Sequence, residues 1–240
     1  MQPTFGIIIP ARFGSTRFPG KPLADINGKT MIQRTVEAAL SSKPDMGVAV
    51  ATDDQRIAKV VEKFATVIMT GSEHISGTDR CADALEQLKW NCDVVVNLQG
   101  DEPFIKAEQI QSLVSCFQNT NTQIATLKKE LTELSDIQNP NMVKVVSGIN
   151  NRALYFSRSS IPFLRDTGHV RIFKHIGMYA FRPEVLMEIT KLEPTPLEKS
   201  EMLEQLRWLE NGYQIDVVET HWASPAIDTP EDLANLGFNG

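Results

Sequence analysis

Short apolar runs alternate with amphipathic segments along the first half of the chain. Apolar runs at residues 5–9, 47–51, 66–69 and 93–98 have the length and composition of buried strands. Between them, Ile32, Val36 and Ala39 recur at helical spacing, and helices are also expected near 54–64, after Arg80 and at 106–117. Strands that alternate with helices are typical of parallel sheets with crossover helices. The pattern therefore predicts an α/β fold.

The second half of the chain predicts further strands at 123–127, 143–146, 153–156, 175–181 and 215–219. Helices are expected at 183–190 and at 197–210, the second one long and burying Leu203, Leu206 and Leu209. Thr30 with Gln33 predicts a reciprocal capping box at the first helix. No repeat, low-complexity tract or linker divides the chain, so we expect a single domain over residues 1–240.

A small, basic segment follows the first apolar run and has the features of an anion-binding loop. Arg12, Arg17 and Lys21 supply positive charge, while Gly14 and Gly20 permit tight turns. The spacing does not match a P-loop, which needs four residues between its glycines and a Ser or Thr after its lysine. The following proline predicts an extended lysine on which no helix starts. A solvated basic loop is the alternative.

Two acidic residues are candidate metal ligands. Asp101 follows the apolar run 93–98, and ligands of open α/β sheets bind beyond the carboxyl ends of the strands. Asp228 stands beside the expected start of a helix, where Thr229 is a candidate N-cap and Pro230 the first helical residue. Mg²⁺ is held by one or two carboxylates together with substrate phosphates. An acidic turn after a strand is the alternative for Asp101.

Composition narrows the possible functions. The net charge of −6 disfavours a general nucleic-acid binder, while one basic pocket for an anionic small molecule stays compatible with it. Three scattered cysteines, without a C-x-x-C pair, indicate free and buried thiols in a reducing compartment. We find no signal peptide and no apolar run of membrane-spanning length, so we expect a cytoplasmic protein without membrane or nucleic-acid partners.

Cationic and acidic groups at the ends of strands suit phosphoryl or nucleotidyl transfer, in which positioning and charge stabilisation supply most of the catalysis. The H-E-x-x-H, G-x-S-x-G and zinc cysteine motifs are absent, so hydrolases of those types have no support. Arg158 is able to clamp a carboxylate or to serve as a surface arginine. Period-two spacing places His175, Gly177 and Tyr179 on one face of their strand, where a histidine is more often structural than a ligand.

Eight motifs in order carry a family resemblance: IIIPARFGSTRFPGKPL, ATDD, SGTDR, VVNLQGDEP, ALYFSRSSIPF, KHIGMYAF, EMLEQLRWLENG and IDTPEDL. With them the chain resembles the 3-deoxy-manno-octulosonate (Kdo) cytidylyltransferases, or CMP-Kdo synthetases, over nearly its whole length. The PGKPL segment is shared with many sugar nucleotidyltransferases, whereas YFSR, H-x-G-x-Y and EQLR together are far more specific. The resemblance implies a Rossmann-like nucleotidyltransferase fold, with a mixed, mostly parallel sheet flanked by helices. It also implies a small sugar-binding and dimerisation part at about residues 150–210, and a homodimer.

The resemblance further implies that CTP and Kdo react to give CMP-Kdo and diphosphate, for lipopolysaccharide synthesis, with Mg²⁺ as cofactor. In that reaction the anomeric hydroxyl of the sugar attacks the α-phosphate of CTP. The implied catalytic residues are Lys21, Arg12, Asp101 and Asp228, of which Asp101 and Asp228 hold the metal. The implied nucleotide residues are Ala11, Arg12, Ser15, Lys21, Thr70, Ser76, Gly77, Arg80 and Gln99. The implied sugar residues are Gln99, Arg158, His175, Tyr179, Glu204 and Gln205.

The chain departs from the family pattern after Ile161, where PFLRDTGHVRIFKH replaces a longer connection with a PWDRD-like start. The shortening leaves room for a modified sugar, such as an 8-amino Kdo. The same chemistry on another sugar acid, as in CMP-sialic acid synthetases, is a rival hypothesis. A catalytically silent sugar-nucleotide binding protein is a second rival, and an α/β domain whose basic loop is only surface is a third.

Overall fold

The computed structural model of the chain describes residues 2–14, 18–165, 170–222, 227 and 229–235. The expected strand and helix pattern is largely confirmed. The strands are β1 Phe5–Pro10, β2 Asp25–Ile26, β3 Lys29–Thr30, β4 Val48–Thr52, β5 Thr66–Met69, β6 Val94–Asn97, β7 Ile124–Leu131, β8 Lys144–Ser147, β9 Ala153–Ser157, β10 Ile172–Phe181 and β11 Ile215–Glu219. The helices are α1 Met31–Leu40, α2 Gln55–Val61, α3 Gly77–Leu88, α4 Ala107–Ser115, α5 Leu134–Gln138, α6 Pro183–Ile189, α7 Pro196–Glu201, α8 Gln205–Glu210 and α9 Pro230–Asn235.

The main sheet is mixed but mostly parallel, as predicted. Its path within the described residues runs β11-β7-β10-β6-β1-β4-β5, with β8 paired to β10 and β9 paired to β8. β6, β1, β4 and β5 are mutually parallel, and β11 is parallel to β7. β10 lies antiparallel between β6 and β7. This one strand joins the two parallel parts of the sheet.

The two faces of the sheet are covered by different helices because the side chains of each strand alternate between them. Ile7 and Ile9 of β1 pack with α1, α2 and α4, whereas Ile8 points to the opposite face, which α3, α6 and α8 cover. The loops that leave this double-sided core carry the candidate nucleotide and metal residues. No helix within the described ranges has the length and apolar character that a membrane span needs.

Several local features differ from the predictions. Thr30 caps α1 by accepting from the Gln33 backbone N–H at 3.3 Å, but the Gln33 side chain bonds Glu37 instead of closing the box. The helix expected after Arg80 begins earlier, at Gly77, because Ser76 caps it. The polar loop before that helix is therefore shorter than predicted. Short helix α5 was not predicted.

The cysteines are free, as expected, although only Cys81 is buried while Cys92 and Cys116 are partly exposed. Burial raises the pKa of the Cys81 thiol well above its ordinary value, so that thiol is kept protonated and unreactive. Its role is that of a small apolar side chain on the α3 face of the sheet.

Candidate functional site

The candidate residues converge where parallel strands β1, β4 and β6 end. All three carboxyl ends meet at one edge of the sheet because the strands are parallel neighbours. The basic segment follows β1, Asp53 follows β4, and Gln99 to Asp101 follow β6. This edge is where open α/β sheets bind ligands.

The loop after β1 is closed by a left-handed glycine. Gly20 has φ 72°, and its N–H donates to the carbonyl of Phe13 at 3.0 Å. A side chain at this position would be strained, and its Cβ would lie 3.1 Å from the Phe13 ring. The predicted Ser15 and Arg17 lie outside the described residues.

The prediction of an extended Lys21 is wrong. Lys21 begins a 3-10 turn, Lys21–Leu23, with Pro22 at its second position. A 3-10 turn tolerates proline there because the first N–H groups of a helix have no internal partner. The turn buries the lysine stem while its ammonium reaches across to the β6 side.

Lys21 Nζ donates to Asp101 Oδ2 at 2.6 Å, which joins the loops after β1 and β6. The Asp101 side chain is 34% exposed, so it also faces solvent. Within the described ranges, no group of three or more His, Cys, Asp or Glu side chains is arranged to hold a metal ion. A partly exposed carboxylate beside a lysine fits Mg²⁺ held largely by substrate phosphates, rather than a cage built of protein ligands.

Asp228 lies outside the described residues, but both of its neighbours are placed. Ile227 is buried and packs with Met31, Ile26 and Leu233, and Phe18 and Phe104 lie against the same cluster. Phe18 belongs to the loop after β1 and Phe104 to the loop after β6. Thr229 caps α9 as predicted, because its hydroxyl accepts from Asp232 N–H at 3.3 Å.

A cleft of about 290 Å³ contains most of the predicted nucleotide residues. Arg12 is exposed, whereas Ala11 is buried and its N–H is fixed by the carbonyl of Ala51 at 2.9 Å. Gly77 lies so close to Gln99 that an added Cβ would be 3.3 Å from its amide. The lining residues are Pro10, Ala11, Arg12, His74, Ile75, Ser76, Gly77, Arg80 and Gln99.

Arg80 is buried in the first turn of α3 and is held by two acceptors. It donates to Thr70 Oγ1 at 2.6 Å and forms an ion pair with Asp53 at 3.3 Å. Thr70 and Asp53 follow neighbouring strands β5 and β4, so Arg80 ties the helix to the edge of the sheet. The structure thus brings the predicted Thr70 and Arg80 together.

The predicted long helix over residues 197–210 is wrong. Met202 adopts a left-handed conformation with φ 53°, which ends α7 and leaves Glu204 as the N-cap of α8. Leu203 and Leu206 are buried as predicted, whereas Leu209 is only partly buried. The break turns the Glu204 side chain away from a regular helical face and toward α3.

Glu204 connects the predicted sugar residues to the nucleotide cleft. Its carboxylate accepts from Ser76 Oγ at 2.9 Å and from Thr78 Oγ1 at 2.7 Å. Burial raises the pKa of Glu204, although these two hydrogen bonds oppose the rise. Ser76 belongs to the nucleotide set and Glu204 to the sugar set, so the two predicted sites share a wall.

His175 and Tyr179 lie together because β10 contains a bulge. β10 advances from Ile176 to Tyr179 while β7 advances by one residue, from Leu127 to Thr126. In a regular strand residues four apart are separated by about 13 Å. Here the two ring centroids are 5.3 Å apart.

Thr126 fills the bulge and fixes the state of His175. Its hydroxyl lies 2.9 Å from the carbonyl of Met178, 3.1 Å from that of Ile176 and 2.9 Å from His175 Nε2. Carbonyls only accept, so the single hydroxyl proton goes to one of them and Nε2–H donates to Thr126. Burial lowers the pKa of His175 to about 3, which keeps the ring neutral and leaves Nδ1 as an acceptor.

Buried donors without partners surround Tyr179. Within the described ranges, the Tyr179 hydroxyl, Trp208 Nε1 and Asn97 Nδ2 have no hydrogen bond. The Tyr179 and Trp208 rings are 5.0 Å apart, and Tyr179 is the register partner of Asn97 between β10 and β6. Buried polar groups are normally paired, so these donors indicate a place for a bound hydroxyl-rich molecule or water.

Gln99 contacts this group of donors, and Gln205 lies on the same helix as Trp208. Gln99 Nε2 donates to Asn97 Oδ1 at 3.1 Å, so Asn97 orients the amide that lines the cleft. Gln205 is buried at the start of α8, next to Glu204. A second cleft of about 560 Å³ is lined by Glu204 and shares His74, Ile75 and Ser76 with the first.

Arg158 lies beside the break between α7 and α8. Its Nε donates to the carbonyl of Glu201 at 2.8 Å, and its terminal nitrogens approach the carbonyls of Pro140 and Met202 at 3.3 and 3.5 Å. Two of these three contacts are with the segment that immediately precedes Glu204, and the third is with Pro140. They fix Arg158 beside the end of α7, and its two interpretations, a carboxylate clamp or a surface arginine, stay predictions.

Sequence reasoning missed Asn97, Thr126 and Glu201, which orient predicted residues. Asn97 is the polar member of an otherwise apolar run, VVVNL, and this was the available signal. Thr126 and Glu201 gave no such signal, because threonine is ordinary in strands and glutamate is ordinary in helices. Their roles depend on contacts with distant parts of the chain.

A family model described as cytidylyltransferase matches residues 6–215 of the chain. A protein of Parabacteroides distasonis named 3-deoxy-manno-octulosonate cytidylyltransferase is 52% identical over 237 residues, covering 94% of each chain. A protein of Geobacter sulfurreducens with the same name is 46% identical over 242 residues, covering 95% of this chain and 96% of its own.

A solved structure of CMP:2-keto-3-deoxy-manno-octonic acid synthetase in complex with CTP superposes with TM-score 0.92 at 40% identity, covering 97% of this chain and 96% of its own. The 4-diphosphocytidyl-2C-methyl-D-erythritol synthase of Anaerococcus prevotii superposes with TM-score 0.62 at 14% identity, covering 97% and 95%. The second likeness shows the fold alone. Together these similarities confirm the nucleotidyltransferase fold. We conclude that the chain belongs to the cytidylyltransferase family, and within it to the 3-deoxy-manno-octulosonate cytidylyltransferases.

Proposed function

We propose that the protein joins CTP and Kdo to give CMP-Kdo and diphosphate. The observation that carries the proposal is the hydrogen bond of Ser76, in the nucleotide cleft, to Glu204, in the predicted sugar set. It supports the proposal because a residue predicted for the nucleotide contacts one predicted for the sugar, and direct transfer requires that the two bound molecules be adjacent. The names of the relatives, and of the CTP-bound structure, support the identity of both substrates.

In the proposed reaction the anomeric oxygen of the sugar forms a bond to the α-phosphorus of CTP. The bond from that phosphorus to the oxygen bridging the α- and β-phosphates breaks, diphosphate leaves, and the hydroxyl proton passes to solvent. Arg12 and Lys21 neutralise the triphosphate, while Ala11, Ser15, Thr70, Gly77 and Arg80 complete the nucleotide site with Ser76 and Gln99. Fixed cations that face a developing charge supply most of the catalysis in such transfers.

Asp101 and Asp228 would hold Mg²⁺. The partly exposed carboxylate of Asp101 suits it, and Ile227 packs in a cluster that also touches the loops after β1 and β6. When bound, Mg²⁺ neutralises phosphate oxygens and stabilises the leaving diphosphate. Lys21 holds Asp101 at 2.6 Å and so orients this carboxylate before substrate arrives.

The sugar site of the proposal is built mainly of neutral groups and one arginine. Arg158 pairs with the sugar carboxylate through a planar fork, while Gln99, His175, Tyr179, Glu204 and Gln205 bind hydroxyls. The Tyr179 hydroxyl, which has no hydrogen bond, is complementary to such hydroxyls as a donor, and His175 Nδ1, unprotonated when Nε2–H donates to Thr126, is complementary as an acceptor. Four further features stay predictions: a homodimer, a sugar-binding and dimerisation part near residues 150–210, a cytoplasmic location, and a step in lipopolysaccharide synthesis.

The test is diphosphate release from CTP and Mg²⁺ with Kdo, 8-amino Kdo or sialic acid as acceptor. We expect release with Kdo, and none with sialic acid. Release with the amino sugar alone would move the specificity to the shortened segment after Ile161. No release with any sugar, together with a raised melting temperature in CTP, would favour a binding protein.

A further inference from the structure

Lys144 is a fully buried lysine in β8 that the proposed reaction does not use directly. Its relative exposure is 0%, and burial lowers the pKa of its ammonium group. Nζ donates to the carbonyl of Arg158 at 2.6 Å and to that of Asn139 at 2.9 Å. A buried ammonium is expensive, so a residue in this place needs a reason beyond packing.

The reason is visible at Arg158, whose backbone is held from both sides. Lys144 binds its carbonyl oxygen, while Glu201 Oε2 accepts from its N–H at 2.9 Å. The other oxygen of Glu201 accepts from Ser157 Oγ at 2.6 Å. Lys144 and Glu201 therefore act as a clamp on residues 157–158.

The guanidinium of Arg158 is held through all three of its nitrogens. Its Nε–H is taken by the carbonyl of Glu201 at 2.8 Å, and Pro140 and Met202 carbonyls lie at 3.3 and 3.5 Å from the terminal nitrogens. A guanidinium has five N–H groups, so each terminal nitrogen retains one N–H. Those two are available to the oxygens of a carboxylate.

Pro140, whose carbonyl contacts the guanidinium of Arg158, lies in the same turn as Asn139, whose carbonyl accepts from Lys144. The clamp thus fixes both the backbone of Arg158 and one contact of its side chain. Near this point two positive groups, Lys144 and Arg158, face one carboxylate, Glu201, which leaves a net positive charge for an anionic ligand.

We propose that Lys144 is a positioning residue for the carboxylate of the sugar, acting through Arg158 by fixing its carbonyl oxygen and the adjoining turn. The inference rests on the proposed function, because it requires that Arg158 receives the sugar carboxylate. Lys144 itself does not touch substrate.

The first experiment compares Lys144→Met with Lys128→Met, a matched control. Lys128 is also buried, lies in β7 on the other side of β10 from β8, and donates to Ser147 Oγ at 2.7 Å. We expect Lys144→Met to raise the KM for Kdo by about 10-fold or more, because a displaced binding group loses its alignment. The KM for CTP stays unchanged. Lys128→Met leaves both constants near those of the parent enzyme.

A double-mutant cycle distinguishes positioning from a general structural effect. If Lys144 acts through Arg158, adding Lys144→Met to Arg158→Ala changes the KM for Kdo no further. The preference for Kdo over its carboxamide analogue also falls in Lys144→Met and persists in Lys128→Met. Equal effects of Lys144→Met with and without Arg158 would overturn the proposal, as would an unchanged preference.

If Lys144→Met does not fold, Glu201→Gln tests the other side of the clamp. It keeps an oxygen acceptor but removes the charge that holds the N–H of Arg158, so the same loss of carboxylate preference is expected. An unchanged preference in a folded Glu201→Gln protein would count against the clamp. The parent enzyme distinguishes a failure of the proposed function from a failure of this inference. If the parent releases no diphosphate with Kdo, the proposed function is refuted. If the parent releases diphosphate and Lys144→Met has the same KM for Kdo, only this inference is refuted.

Discussion

The nucleotide side and the sugar side of the site hold their polar groups in different ways. On the nucleotide side, Lys21 meets Asp101 and Arg80 meets Asp53, so charges are matched in pairs at the ends of parallel strands. On the sugar side, burial keeps His175 neutral and disfavours the ionised form of Glu204. The first arrangement suits a highly charged triphosphate. The second suits hydroxyl groups, with Arg158 as the exception for a carboxylate.

Because of this difference, we expect substitutions on the two sides to have different consequences. Removing a charge on the nucleotide side removes stabilisation of the transition state. Replacing His175 or Glu204 on the sugar side instead changes how stability depends on pH. Substitutions at Lys21, Arg158, His175 and Glu204 test this contrast, in decreasing order of expected effect.

The largest effect is expected for Lys21→Met. Diphosphate release should fall by at least about 100-fold, since a fixed cation facing the phosphates is lost. The unfolding temperature should change little because Asp101 is partly exposed and regains water. Lys29→Met, which removes an exposed lysine paired with Glu37, is the control. Activity within a few-fold of the parent would refute this role of Lys21.

The next effect is expected for Arg158→Lys. The KM for Kdo should rise about 10- to 100-fold, because a lysine cannot reproduce two parallel hydrogen bonds to a carboxylate. Binding of CTP, measured by calorimetry, should be unchanged. Arg152→Lys, at an arginine 3.9 Å from Asp216, is the matched control. A parallel rise in the CTP dissociation constant would show that Arg158 serves the fold rather than the sugar.

The variant His175→Gln should lose less unfolding free energy than the parent as the pH falls below 6.5. The folded pKa of His175 is about 3, against an ordinary 6.5. Stability is therefore fully present above pH 6.5 and is lost as pH falls toward 3, since only the unfolded chain takes up the proton. The slope is at most about 1.4 kcal/mol per pH unit. Urea unfolding from pH 7 to pH 4 measures it, with exposed His221→Gln as control. Parallel curves for His175→Gln and the parent would disprove the assignment.

Glu204→Gln should produce a smaller effect of opposite sign. The pKa of Glu204 is raised above its ordinary 4.5 in the folded protein. Its contribution to the free energy of unfolding is therefore fully present below pH 4.5 and is lost as pH rises through the folded pKa, because the unfolded chain releases the proton first. The glutamine variant should gain on the parent as pH rises from 4.5. Thermal unfolding at several pH values tests this, with exposed Glu62→Gln as control. A difference independent of pH would contradict it.

The nucleotide side was the more predictable half because its parts follow strands directly. An apolar run that ends in glycines and cations, or in Asp101, indicates a loop at the edge of the sheet without knowledge of distant contacts. Even here the conformation of Lys21 was predicted wrongly. A proline favours an extended conformation in the preceding residue, but Lys21 instead begins a 3-10 turn whose N-cap is Gly20. The loop before α3 was predicted to extend to Arg80, because Ser76 was not identified as the N-cap of a helix that begins at Gly77.

The sugar side was less predictable because long-range contacts override local preference. Residues 197–210 have a continuous helical pattern, yet Met202 adopts the left-handed conformation, which costs roughly 1–2 kcal/mol for a residue other than glycine. Buried Leu203 and Leu206 and the bonds of Glu204 to α3 offset that strain. The β10 bulge likewise depends on Thr126, a residue distant in sequence.

The position of β10 also bears on how the chain is made. β10 is the shared neighbour of β6 and β7, yet it follows both of them in the chain by way of β8 and β9. During synthesis on the ribosome, a chain that has reached β9 leaves two apolar strands without the partner that finally separates them. Unpaired strand edges in incomplete chains favour association with other chains. Completing β10 therefore pairs both edges at once, and we expect chains that end before β10 to associate more readily than chains that contain it.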